Sequence, residues 1–113
     1  MIRNLIFDEQ PTFIQDLGSG YSNVHLNIKQ VDCIEHDEES NKDVKVKKWS
    51  ADVQKVDNPV TYEKTVTLAI KEEFPNGEDE AALRKGIVNP KDEDFVKLNS
   101  FAEYVKKSFK KGI

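Results

Sequence analysis

Two runs of alternating apolar residues face each other across a polar turn, and this constrains the chain more than any other feature. Val24, Leu26 and Ile28 alternate, then Val31 and Cys33 on the other parity. Beyond the turn-like Asp37-Glu38-Glu39-Ser40-Asn41-Lys42, Val44 and Val46 alternate, then Trp49, Ala51 and Val53. Period-two patterns bounded by turn residues read as strands, so a long antiparallel hairpin is predicted over residues 21–57. The residue numbers of the pairs 33/46, 28/51 and 26/53 each sum to 79, while 31/49 sums to 80. A slip of one residue turns every side chain to the opposite face. The pattern therefore predicts two compensating irregularities, a shared bend or a pair of bulges. At the base of the hairpin Val24 and Val56 sum to 80 again. Near the turn His36 opposes Asp43, a pair worth about 0.2–1 kcal/mol when the imidazole is charged.

The remainder reads as helical. Asn58-Pro59 supplies an N-cap and a proline at the first helical position. Tyr62, Val66, Ala69, Ile70 and Phe74 then recur at helical spacing, and Pro75-Asn76-Gly77 ends the run. A short helix is predicted from Glu78 to Lys85, with Gly86 as its C-terminal cap. Asn89-Pro90 repeats the start signal for a third helix carrying Phe95, Leu98, Ala102, Val105 and Phe109, widened by Phe101 and Tyr104. Asp92, Glu93 and Asp94 stand at its start, and Lys106, Lys107, Lys110 and Lys111 near its end, as the helix dipole favours. In residues 1–20, Asn4–Phe7 and Phe13–Leu17 read as short strands on either side of Pro11, followed by the flexible Gly18-Ser19-Gly20.

These elements make one α+β domain over residues 1–113. It has an N-terminal segment (1–20), a hairpin (21–57) and a helical part (58–113). A hairpin of two strands is marginal alone in water. Its apolar side must rest on the two to three C-terminal helices, and its edge must meet an N-terminal third strand or another chain.

Composition narrows the function classes. With the single cysteine Cys33 no intramolecular disulfide can form. The N-terminal apolar stretch breaks at Asp8, too early for a secretory signal, and no segment approaches the roughly 18 apolar residues of a spanning helix. A soluble, cytoplasmic protein is the expectation. The charge balance is 17 Lys+Arg against 21 Asp+Glu, net −4, which argues against general nucleic-acid binding. Charge is uneven: residues 32–43 hold six acids and one lysine, and residues 97–113 hold five lysines and one acid.

Candidate chemistry is sparse. Cys33-x-x-His36 matches part of a zinc pattern, but on a strand the two side chains leave by opposite faces. Asp8-Glu9 and Asp92-Glu93-Asp94 offer adjacent carboxylates, and the helix dipole already accounts for the second set. No Gly-x-Ser-x-Gly elbow, phosphate loop or dinucleotide fingerprint occurs. No catalytic residue, metal ligand, cofactor or small-molecule substrate is predicted. Trp49 and Tyr21 remain as candidate partner contacts, because such side chains anchor interfaces; for Trp49 the first reading is the sheet–helix core, where alternation already places it. The lysine-rich end reads first as a solvated helix end, and otherwise as a surface for nucleic acid or an acidic partner. The acids at 37–39 and 78–80 raise a second idea, an acidic inhibitor of a nucleic-acid-handling enzyme.

The order Tyr21, Val24-His25-Leu26-Asn27-Ile28, Trp49-Ser50-Ala51-Asp52-Val53, Val60–Val66, Ala69–Phe74, Asp79–Arg84 and Phe95–Tyr104 resembles small proteins of phage and prophage gene clusters in Bacteroides-type bacteria. The resemblance spans roughly residues 20–110 and lies in structural motifs. It implies a non-enzymatic structural or adaptor protein, encoded near tail genes, virion-associated as an alternative to cytoplasmic, and acting through contacts with another protein or with itself. It carries over no catalytic residue.

Overall fold

The computed structural model describes all residues, 1–113. Four strands come first: β1 (Ile2–Phe7), β2 (Ile14–Asp16), β3 (Tyr21–Asp37) and β4 (Lys42–Asp57). Three helices follow: α1 (Tyr62–Glu73), α2 (Glu78–Val88) and α3 (Glu93–Gly112). The strands form one antiparallel sheet in the order β1-β4-β3-β2. The hairpin is thus the centre of the sheet. The N-terminal segment holds both short strands read from residues 4–7 and 13–17, and it adds one to each edge of the hairpin, where a third strand on one edge was the expectation.

The register of the hairpin corrects one expectation. Pairing runs from Tyr21↔Asp57 to Leu26↔Asp52, shifts once, and runs on from Lys29↔Ser50 to Asp37↔Lys42. There is one irregularity, at Asn27-Ile28, in place of two that compensate. Val31 opposes Lys48 rather than Trp49, Leu26 opposes Asp52 rather than Val53, and Val24 opposes Gln54 rather than Val56, whereas Cys33↔Val46 and His36↔Asp43 pair as the sequence predicts. Asn27 adopts a left-handed conformation, φ 54°, which asparagine tolerates and one class of bulge uses. No shift interrupts the β4 side of this pairing. Its parity change arises because Val44 and Val46 lie on one face of the sheet, and Trp49, Ala51 and Val53 on the other. The helix-facing positions between them hold polar residues, Asp52 and Gln54.

The core gathers Val24, Leu26 and Val56 from the base of the hairpin with Val66 and Ala69 of α1 and Phe101, Val105 and Phe109 of α3. Phe13 and Tyr62 meet Phe109 edge to face, with ring centroids 5.0 and 5.5 Å away. The predicted stripe of α1 is the packed one. The polar Thr65 within it is fully buried, its hydroxyl donating to the Thr61 carbonyl at 2.8 Å.

Each helix start and stop moves slightly from its predicted place. The N-cap of α1 is Thr61, whose hydroxyl accepts from the Lys64 amide at 3.1 Å, rather than Asn58. The N-cap of α3 is Asp92, accepting from the amides of Asp94 and Phe95, rather than Asn89. Gly86 does not end α2. It lies buried inside the helix, and a Cβ there would fall 2.1 Å from the Phe95 ring. The glycine serves close approach of α2 to α3, and Asn89 forms the cap.

The molecule measures 61 × 34 × 24 Å with a radius of gyration of 17.6 Å. A compact chain of this length would have about 13 Å. The excess comes from the hairpin, whose outer half runs beyond the helices.

Candidate interaction surface

A buried carboxylate fixes how the sheet departs from the helical layer. Asp52 is 2% exposed on the helix-facing side of β4. The Tyr104 hydroxyl of α3 donates to it, the Arg3 Nε lies 3.1 Å away, and the Asn4 amide donates at 2.8 Å. The Arg3 guanidinium also stacks 4.9 Å above the Tyr104 ring. Asn4, like Asn27, is left-handed, and the β1–β4 register shifts between Ile2 and Leu5. Both neighbours of β4 therefore bulge beside Asp52. A buried carboxylate needs such donors, because an unpaired charge there costs several kcal/mol. Burial, and the hydrogen bond to Asp52, raise the Tyr104 hydroxyl pKa above its ordinary value.

Beyond this knot the helices no longer cover the sheet. Between Asn27 and Trp49 no residue is buried. The β1 pairing ends at Phe7↔Trp49 and the β2 pairing at Ile14↔Val24. From Val31↔Lys48 to Asp37↔Lys42 the hairpin is a bare two-stranded ribbon, seven pairs and about 20 Å long. Lys48 clamps its root, binding Asp8 at 3.0 Å and Glu35 at 2.5 Å, and these hydrogen bonds hold its ammonium pKa above the ordinary lysine value. His36 lies 3.2 Å from Asp43 near the tip. Ile34 is 70% exposed, and Val44 is exposed on the other face. Both long edges carry unpaired backbone groups, the arrangement that accepts a further strand.

The two predicted contact residues lie on the sheet face away from the helices, but they do not form one cluster. Their register partners, Gln30 for Trp49 and Asp57 for Tyr21, place them eight positions apart along β4, about 26 Å. Trp49 is half-buried on the helix-free face beside Phe7, not in the sheet–helix core. Leu5, exposed, lies two positions along the same edge opposite Ala51, and Ile2 lies opposite the buried Val53, about 13 Å from Trp49. Tyr21 is 45% exposed at the base, with the Lys55 ammonium 4.7 Å from its ring centroid. Sequence reasoning missed Phe7, Leu5 and the ribbon itself. It also missed Asp52, because a polar residue alternating with Ala51 and Val53 reads as solvent-facing. The signal lay in two asparagines, Asn4 and Asn27, inside otherwise β-prone runs.

Cys33 and His36 leave the ribbon by opposite faces, and no group of three or more His, Cys, Asp or Glu side chains gathers where an ion could bind. The largest cavity, about 380 Å³, opens between Gln10, Phe13, His25, Asn27, Ser108 and Lys111. His25 is its buried titratable group, and its Nδ1 is occupied by the Thr12 carbonyl at 2.6 Å. No helix is long and apolar enough to cross a membrane. Compared with family models, curated proteins and solved structures, the chain matches none.

Proposed function

We propose that this protein works by holding another protein chain, as a structural or adaptor element, in the phage or prophage setting that its sequence resemblance implies. The observation that carries this reading is the bare ribbon of residues 31–48. It is a two-stranded extension with both edges free, tied at its root by the ion pairs of Lys48 with Asp8 and Glu35. A stretch of this kind adds little to the core, which lies wholly at the hairpin's base. It offers backbone donors and acceptors along two edges and exposed side chains such as Ile34 and Val44 for selectivity. The apolar patch of Leu5, Phe7 and Trp49 adjoins its root and extends the same surface.

The second reading, acidic mimicry of nucleic acid, has less in its favour. Asp32 and Asp43 lie on one face of the ribbon and Glu35 on the other, and lysines alternate with them. Glu72 pairs with the N-terminal amine and Asp79 with Lys71.

Affinity capture with the full chain tests the proposal. The variant Ile34→Lys/Val44→Lys should lose the captured partner, while Ile87→Lys, an equally exposed change on α2, should retain it. Circular dichroism checks that each variant is folded. Equal retention by the ribbon variant contradicts the reading.

A further inference from the structure

Resting on that reading, we infer that the ribbon receives the carboxy-terminal strand of its partner, laid along the free edge of β3 with its terminal carboxylate in the cavity beside Lys111. One observation comes from topology and a second from chemistry.

The outer edge of β3 is divided. β2 fills it antiparallel from Ser22 to Val24, and the Phe13 carbonyl accepts from the His25 amide at 2.7 Å. From Lys29 to Asp37 no strand lies on this edge. The cavity of about 380 Å³ opens where the two stretches meet, at Asn27 and Ile28. A strand added in line with β2 ends at this cavity, because Gln10 and Phe13 on one side and the end of α3 on the other wall it off. Running antiparallel to β3, as β2 does, such a strand travels from tip to root and brings its carboxyl terminus to the cavity. Running parallel, it brings its amino terminus there. At the root of the β4 edge, by contrast, the Lys48 ammonium is already bound to Asp8 and Glu35.

The cavity selects between the two directions. Lys111 lines it and makes no ion pair within the chain. Ser108 lines it too. This serine is 8% exposed, and its hydroxyl has no hydrogen-bond partner in the protein. An incoming ammonium meets Lys111 as a like charge. A carboxylate meets an unpaired cation and a hydroxyl donor, and charge-assisted bonds of this kind are the strong ones. The free carbonyls at the end of α3 oppose an anion with about half a charge, against the full charge of Lys111. Along the added strand, residues opposite Val31 and Cys33 share the face that Val44 and Val46 occupy across the ribbon. The edge therefore favours apolar side chains at two alternating positions upstream of the carboxylate.

Random octapeptides with a free carboxyl terminus, and the same pool amidated, test this against the full chain. The free-acid pool should yield binders, and amidating a selected peptide should weaken it about tenfold or more. Lys111→Glu, a change at an exposed residue, should weaken the free acid by a similar factor and leave the amide unchanged, a contrast that loss of fold cannot produce. On the native chain, bound peptide should slow amide hydrogen exchange along residues 29–37 rather than 42–48. No binder from either pool overturns the inference and leaves the adaptor reading standing, to be decided by the ribbon variant in affinity capture. Binders indifferent to amidation or to Lys111→Glu also overturn it, and make the occupant an internal strand. Slowed exchange along 42–48 instead overturns it by moving the partner to the β4 edge.

Discussion

The hydroxyl of Tyr104, on the last helix, donates to the carboxylate of Asp52, on the second hairpin arm. This bond marks the boundary between the packed part of the molecule and the ribbon. Removing the acceptor strands Arg3, the Asn4 amide and Tyr104 together. Asp52→Ala should therefore cost about 3 kcal/mol or more in urea unfolding. Tyr104→Phe leaves the carboxylate with its other two donors and should cost about 1–2 kcal/mol. Equal, small effects would mean that the knot does not organise the sheet.

The same bond has a pH signature. The Tyr104 pKa lies above the ordinary value, first through burial and then through Asp52. A raised pKa means that the folded state holds its proton more tightly than the unfolded one. The associated stability is complete below about pH 10 and is lost as pH rises through the folded value. Spectrophotometric titration should show one tyrosine ionising late, and Tyr104→Phe should remove that step. A titration in which Tyr104 ionises at the ordinary value contradicts the arrangement.

Gln54 is fully buried beneath the helices. Its Nε2 donates to the Lys55 carbonyl, while its Oε1 has no partner. An unpaired buried acceptor costs about 1–3 kcal/mol. Gln54→Met, of similar volume, should stabilise the fold, raising the urea midpoint. A loss of stability would mean that the amide is satisfied in solution, for instance by a buried water.

Gly86 gives the opposite expectation to helix propensity. Alanine is favoured over glycine in a helix by about 1 kcal/mol. Here the added methyl meets the Phe95 ring at 2.1–2.5 Å, backed by α3. Gly86→Ala should destabilise by about 1–3 kcal/mol, the usual cost of overpacking. Combining it with Phe95→Ala should cost less than the two changes added together. Additive effects would contradict the contact.

What the sequence made legible follows from how strongly burial constrains each part. The hairpin, its turn, the three helices and their apolar stripes were readable because periodicity records which side is covered. The distal pairs, Cys33↔Val46 and His36↔Asp43, were readable because a short turn fixes register locally. The single bulge was not. Ala51 and Val53 are buried, but on the sheet face away from the helices, and the helix-facing positions beside them hold Asp52 and Gln54. Binary patterning cannot anticipate a buried carboxylate whose donors, Arg3 and Tyr104, lie about fifty residues away in either direction. Gly86 misled for a related reason. A glycine near a helix end signals a cap, and only the position of Phe95 reveals the close approach. Of the two predicted contacts, Trp49 lies at the root of the exposed surface and Tyr21 at its opposite end. The ribbon between Trp49 and the turn was visible as paired strands but not as an uncovered extension, since coverage is a property of the whole fold.

The central claim is that the ribbon, rather than another exposed surface, meets a partner chain. A photo-crosslinking residue placed at Ile34 on the ribbon or at Ile87 on α2 tests it most directly, because both positions are largely exposed, at 70% and 84%. The account predicts protein adducts from position 34, in the source cell or with the pure chain, and none above background from position 87. Adducts from position 87 with none from position 34 would contradict it.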